Sequence, residues 1–106
     1  MLTLEQAREA AGRGGVWMDR YRPGWRRKVN PRRLNLKLRD SCILGQVDGD
    51  YHQAVSRLRW KSERKTQLGF LIPWVETSWE EEAASWENLN RAWLEIHSNG
   101  HKSRKS

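Results

Sequence analysis

The chain has 106 residues, a formal net charge of +7, one cysteine and seven tryptophans. That length suits one domain built on one core, and a single cysteine excludes both an internal disulfide and a cysteine-based metal site. No run of 18 apolar residues occurs, so no membrane-spanning helix is expected.

In chain order, Thr3 followed by Gln6 has the form of a capping box, which predicts a helix from Leu4. Leu4, Ala7, Ala11 and Met18 fall near one helical face. The "GRGG" of Gly12 to Gly15 weakens that helix by about 1 kcal/mol per glycine relative to alanine, so a kink or break is expected there. Trp17 and Tyr21 lie one turn apart before "RPGW" ends the run at Pro23. Leu34, Leu36 and Leu38 then alternate with Asn35 and Lys37, the two-residue period of an extended segment. Its best partner is "FLIPWV", 70–75, where Pro73 lacks a donor and is confined to an edge. The expectation is an extended strap across helices and at most a two-stranded ribbon.

Asp40 or Ser41 can cap a short helix carrying Ile43 and Leu44, and Asp48-Gly49 marks a turn. Tyr51, Ala54, Val55 and Leu58 keep the spacing of an amphipathic helix, and a further turn over 62–68 stops at Gly69. Thr77 or Ser78 caps the last helix, whose first turn holds Glu80, Glu81 and Glu82 where the helix dipole favours negative charge. Trp79, Ala83, Trp86, Leu89, Trp93 and Ile96 form one stripe, read as core. Trp86 and Trp93 are expected to be buried and Trp79, at the fraying start, exposed. Glu81, Asn88 and Glu95 mark the reverse face, and Gly100 is expected to end the helix. The predicted fold is therefore mainly α: a single small domain of four to five short helices over residues 1–97, with a disordered basic tail at 98–106.

Charge is unevenly distributed. Residues 1–75 hold 16 Lys and Arg against 7 Asp and Glu, whereas 76–106 hold 4 against 6. Arg20, Arg22, Arg26, Arg27, Lys28, Arg32, Arg33, Lys37 and Arg39 lie within twenty residues, with Trp25 embedded among them. Arginine forks match phosphate oxygens and an indole can stack on an unpaired base, so this stretch is the candidate nucleic-acid-binding site. Two other readings are a solvated face that offsets the acidic last helix, and a surface for an acidic protein. No zinc-finger, ribonucleoprotein or helix-turn-helix signature accompanies it.

Catalytic chemistry has less support. Cys42 and His52 are a formal nucleophile and base, yet Cys42 beside Ile43 and Leu44 reads as a small buried hydrophobe. His97 and His101 are four apart, but Asn99 and Gly100 intervene and disrupt the helix that such metal ligands require. "DGD" at 48–50 lacks the other oxygen ligands of a calcium loop, and no phosphate-binding loop or dinucleotide fingerprint appears. No enzyme, cofactor or metal is expected.

"WMDRYRPGWRRKVNPRRLNL", "CILGQVDGDYHQAV", "LGF" and "WENLNRAWLEI", in that order, resemble a group of small uncharacterised proteins of actinobacteria and actinobacteriophages, of the mycobacteriophage type. The matching features are Asp19, Pro23-Gly24-Trp25, Cys42 with Leu44-Gly45-Gln46, Gly49-Asp50-Tyr51, Leu68-Gly69-Phe70 and Trp93. The likeness spans most of residues 16–96 and implies a phage or prophage origin, with no activity and no site residue carried over. "WRRKVNPRR" departs from it, standing where acidic residues are typical.

The sequence thus predicts a non-enzymatic, phage-encoded binding protein that engages nucleic acid with little sequence preference. The alternative is an interaction protein that binds and modulates a bacterial host protein. The opening "MLTLEQAREAAG" lacks the basic start and apolar stretch of a secretion signal, and an unpaired thiol suits a reducing compartment. The expected location is the host cytoplasm, with no membrane partner.

Overall fold

Thr3 makes the capping box its sequence implies: its hydroxyl accepts from the Gln6 amide, and the Gln6 side chain accepts from the Thr3 amide. From this cap, helix α1 runs over Leu4–Tyr21. In the computed structural model, which describes residues 1–73 and 78–103, five further helices follow. They are α2 (Trp25–Lys28), α3 (Ile43–Asp48), α4 (Tyr51–Leu58), α5 (Ser62–Gln67) and α6 (Trp79–Ser103). The fold is mainly α, with four short helices set around two long ones. No strand occurs among the described residues, and no helix among them is long and apolar enough to cross a membrane.

α1 passes through "GRGG" without a break, contrary to the expected kink. The reason is packing. A Cβ at Gly14 would overlap the Leu68 carbonyl oxygen and come within 2.6 Å of the Trp93 ring, so a residue lacking a side chain lets three segments meet. The contact offsets the propensity cost of the glycines, which tertiary packing routinely overrides. Along the same seam, the Leu2 amide donates to Ser85 Oγ at 2.9 Å and Arg8 pairs with Glu95 at 3.0 Å. These contacts ascend together in number, so α1 and α6 run in the same direction.

The core is a relay of aromatic rings. Trp17 meets Trp60 edge-on at 4.8 Å, Trp60 stacks on Phe70 at 5.7 Å, and Phe70 stacks on Trp93 at 5.2 Å. Trp25 closes it, edge-on to Trp93 at 5.8 Å. Offset and edge-to-face pairs at these separations satisfy the ring quadrupoles. Trp93 is 0 % exposed and donates its Nε1 proton to the Gly69 carbonyl at 2.6 Å. Gly69, at φ +76°, turns the chain after α5, and a Cβ there would come within 3 Å of the Ala10–Ala11 backbone of α1, so no other residue is accommodated without strain.

The tryptophan stripe of α6 is narrower than its spacing implies. Leu89, Ala92 and Trp93 are fully buried, Trp86 and Ile96 are half-buried, and Trp79 is 77 % exposed. Ser78 Oγ accepts from the Glu81 amide and caps the helix. The candidate Thr77 cap lies outside the described residues, as do Trp74 and Val75 of the expected second extended run. The reverse face is not simply solvated, because Asn88 donates to the Leu2 carbonyl and Glu95 holds Arg8. α6 continues past Gly100, its expected end, to Ser103. One interior glycine costs about 1 kcal/mol and need not stop a helix. The remainder of the expected tail, 104–106, lies outside the described residues.

Between α2 and α3 the chain is a strap of successive turns. Arg33 N donates to Asn30 O, Leu38 N to Asn35 O and Ser41 N to Leu38 O. The alternation of Leu34, Leu36 and Leu38 therefore does not produce an extended segment. Asn35 Oδ1 accepts from the Lys37 amide at 3.1 Å, a side-chain turn that reverses the backbone. Leu36 is buried, its amide held by Asn90 Oδ1 at 2.6 Å, while Leu38 turns outward.

Candidate nucleic-acid interface

Pro23 and Gly24 form the turn that places the basic segment. Gly24 adopts φ +82°, a left-handed conformation that directs Trp25 back into the core to start α2. Trp25 is 1 % exposed. Its ring is enclosed by Trp93 and His97, and its Nε1 donates to Asp19 Oδ1 at 2.9 Å. Trp25 therefore does not stack on an unpaired base as expected, because its ring is buried inside the protein.

The cations divide into two groups. Arg22 makes a two-pronged pair with Asp48 at 3.0 and 3.1 Å, its guanidinium 5.3 Å from the Trp17 ring. Arg26 donates to Asp19 at 2.6 Å and lies 4.5 Å from the Trp25 ring, mostly buried. His97 Nε2 lies 2.9 Å from the Arg26 carbonyl, joining α2 to the far end of α6. These two arginines work as internal braces, and Asp19 serves Trp25 and Arg26 with a single oxygen. Asp19 and Asp48 were not legible as partners in the sequence, since each lies in a different element from the arginine it holds.

Arg20, Arg27, Lys28, Arg32, Arg33, Lys37 and Arg39 are exposed. Arg20 leans on Tyr21 at 5.4 Å, and Arg39 approaches Asp50 at 3.9 Å. Among the described residues no ion pair involves Arg27, Lys28, Arg32, Arg33 or Lys37. They extend from α2 along the strap. Leu36 is tied to Asn90 and Arg26 to His97, so the strap climbs α6 by about 10 Å at 1.5 Å per residue. A row of exposed cations along one segment suits a phosphate backbone, whose recognition rests on charge.

The thiol candidate has a different environment. Cys42 is buried at the start of α3, where Sγ accepts from the Gly45 amide at 3.2 Å. Burial pushes its pKa up from 9.0 to about 11, whereas a nucleophilic cysteine needs it lowered. Neighbouring Tyr51 is likewise pushed above its ordinary value by burial. His52 faces solvent. Among the described residues no group of three or more His, Cys, Asp or Glu side chains is placed to hold a metal ion.

No family model, curated protein or solved structure matches the chain.

Proposed function

We propose that this protein binds nucleic acid without catalysing a reaction and with little sequence preference, and that it is phage-encoded and acts in the cytoplasm of a bacterial host. The observation that carries this reading is the set of exposed cations on α2 and the strap, Arg27, Lys28, Arg32, Arg33 and Lys37, which no carboxylate among the described residues neutralises. A face that merely offset the acidic helix would spend these charges on ion pairs within the fold, as Arg22 and Arg26 do. The phage origin rests on the resemblance of residues 16–96 alone.

Binding through phosphates releases condensed counterions, so the affinity falls as a power of salt concentration. With about four contacts on a duplex, the logarithmic slope is expected to be roughly −3 to −4. Fluorescence anisotropy of a labelled duplex at several salt concentrations measures it. Changing Arg27 and Lys28 together to alanine should flatten the slope by about 2 and weaken all sequences alike. No binding at low salt, from the folded protein, rejects the reading.

One observation favours a second reading, a host-protein partner. Trp79 is 77 % exposed at the acidic start of α6, and exposed tryptophans are frequent anchors of protein interfaces. Binding through such an anchor would persist at high salt, where phosphate contacts are lost.

A further inference from the structure

Beside the strap lies a groove of about 400 Å³ that the basic face alone does not explain. Its floor includes Leu36, Phe70 and Trp86, and its rim carries Lys37, Arg39 and His52. Volumes of this size are typical of small-ligand sites, which pair an apolar lining with a few placed polar groups. Trp86 is half-buried, unlike Trp25 and Trp93, so part of its indole remains available beside the groove. Tyr51 also lines it, and its hydroxyl is buried with no hydrogen-bond partner among the described residues.

We infer that this groove receives one unpaired base of a single-stranded nucleic acid, with Trp86 as the stacking surface and Lys37 and Arg39 holding the flanking phosphates. The inference rests on the nucleic-acid reading above and makes it specific. Three features select this occupant. The groove sits at the upper end of the cationic path from Arg27 through Arg33, so a backbone tracked along the strap arrives at it. Its floor of Leu36, Phe70 and Trp86 is apolar and aromatic, which suits the face of a base. Its rim is cationic, which suits the charge on either side of that base. Bases in duplex are already stacked, so the groove discriminates single strands from double strands and tolerates any sequence.

The test uses the intact protein and short labelled oligonucleotides, as deoxyribose and as ribose strands: a mixed-sequence single strand, its duplex, and the same strand with its central bases removed as abasic sites. The expected result is tighter binding of the single strand than of the abasic strand by roughly five- to hundredfold, the range that stacking of one base commonly contributes. A preference in either sugar supports the inference. Leu38→Glu, at an exposed position on the groove wall, should reduce that preference while the protein stays folded. Trp86→Leu should abolish it, and Trp86→Phe should retain part of it. Equal binding of intact and abasic strands overturns the inference, and if duplex still binds with a steep salt slope, the nucleic-acid reading survives it. Absence of binding to every strand at low salt removes both.

Discussion

Trp93 sits at the heart of the core: it is fully enclosed, stacks on Phe70, meets Trp25 edge-on and donates to Gly69. Trp93→Ala is expected to cost about 3–5 kcal/mol, enough to unfold a domain of ordinary stability. Trp86→Ala should cost less, roughly 1–2 kcal/mol, because its ring is only half-buried. Denaturant midpoints separate the two, and equal losses would show that the groove wall is as tightly packed as the centre. Cys42 gives a chemical prediction. With its pKa raised to about 11, its thiolate population at pH 8 is about a hundredfold below that of an ordinary thiol. Labelling by a thiol reagent should therefore be slow in the native state and fast in denaturant. Between pH 9 and about 11 the unfolded thiol loses its proton and the folded one keeps it, so this group's stabilising contribution is lost as pH rises across that window.

Two glycines within α1 have opposite surroundings. Gly14 is held against the Leu68 carbonyl and the Trp93 ring, whereas nothing lies within 4 Å of a Cβ at Gly12. Gly12→Ala should raise stability by up to about 1 kcal/mol, since alanine is the better helix former and meets open space. Gly14→Ala should destabilise by roughly 1–3 kcal/mol or more, because backbone has to shift. Thermal melts of the two variants in opposite directions are the expected result. The sequence showed a run of glycines and implied a weak point, because local propensity is blind to what packs against a helix from 54 and 79 residues away, as Leu68 and Trp93 do against Gly14. Where the determinants are local, the sequence was legible: the Thr3 capping box, the turn at Gly69 and the amphipathic α4 are all in place. The strap was misread because Leu34, Leu36 and Leu38 alternate correctly while the Asn35 side chain turns the backbone between them. In the candidate site the cations were visible as a cluster. Their division into braces and free charges was not, since Asp19 and Asp48 become partners only after folding.

The acidic turn of α6 lies far from the α2 end of the basic face, where Arg27 and Lys28 sit, and nearer its groove end, since Trp86 is five residues, about 8 Å, from Glu81. The acidic turn of α6 and the Arg26–His97 junction are separated by 16 residues of helix from Glu81 to His97, about 24 Å at 1.5 Å per residue. The Debye length is about 8 Å at physiological ionic strength and about 30 Å at 0.01 M. Replacing Glu80, Glu81 and Glu82 together by glutamine should therefore leave the part of duplex affinity that Arg27 and Lys28 contribute unchanged near 0.15 M salt and raise it at 0.01 M. Titrations at the two salt concentrations check this, and a large gain at the higher one would place the acidic turn beside the bound strand.

The strap carries Arg32, Arg33, Lys37 and Arg39 on successive turns, not on a helix. Helical motifs that read DNA present side chains at a fixed pitch and so act as rulers, locked to the repeat of the duplex. A path made of successive turns, held by Asn30, Asn35 and Leu38 carbonyls, has no constant interval between its charges. Such a surface cannot measure its ligand. It would accept straight, bent or looped strands alike and leave a footprint with no phase.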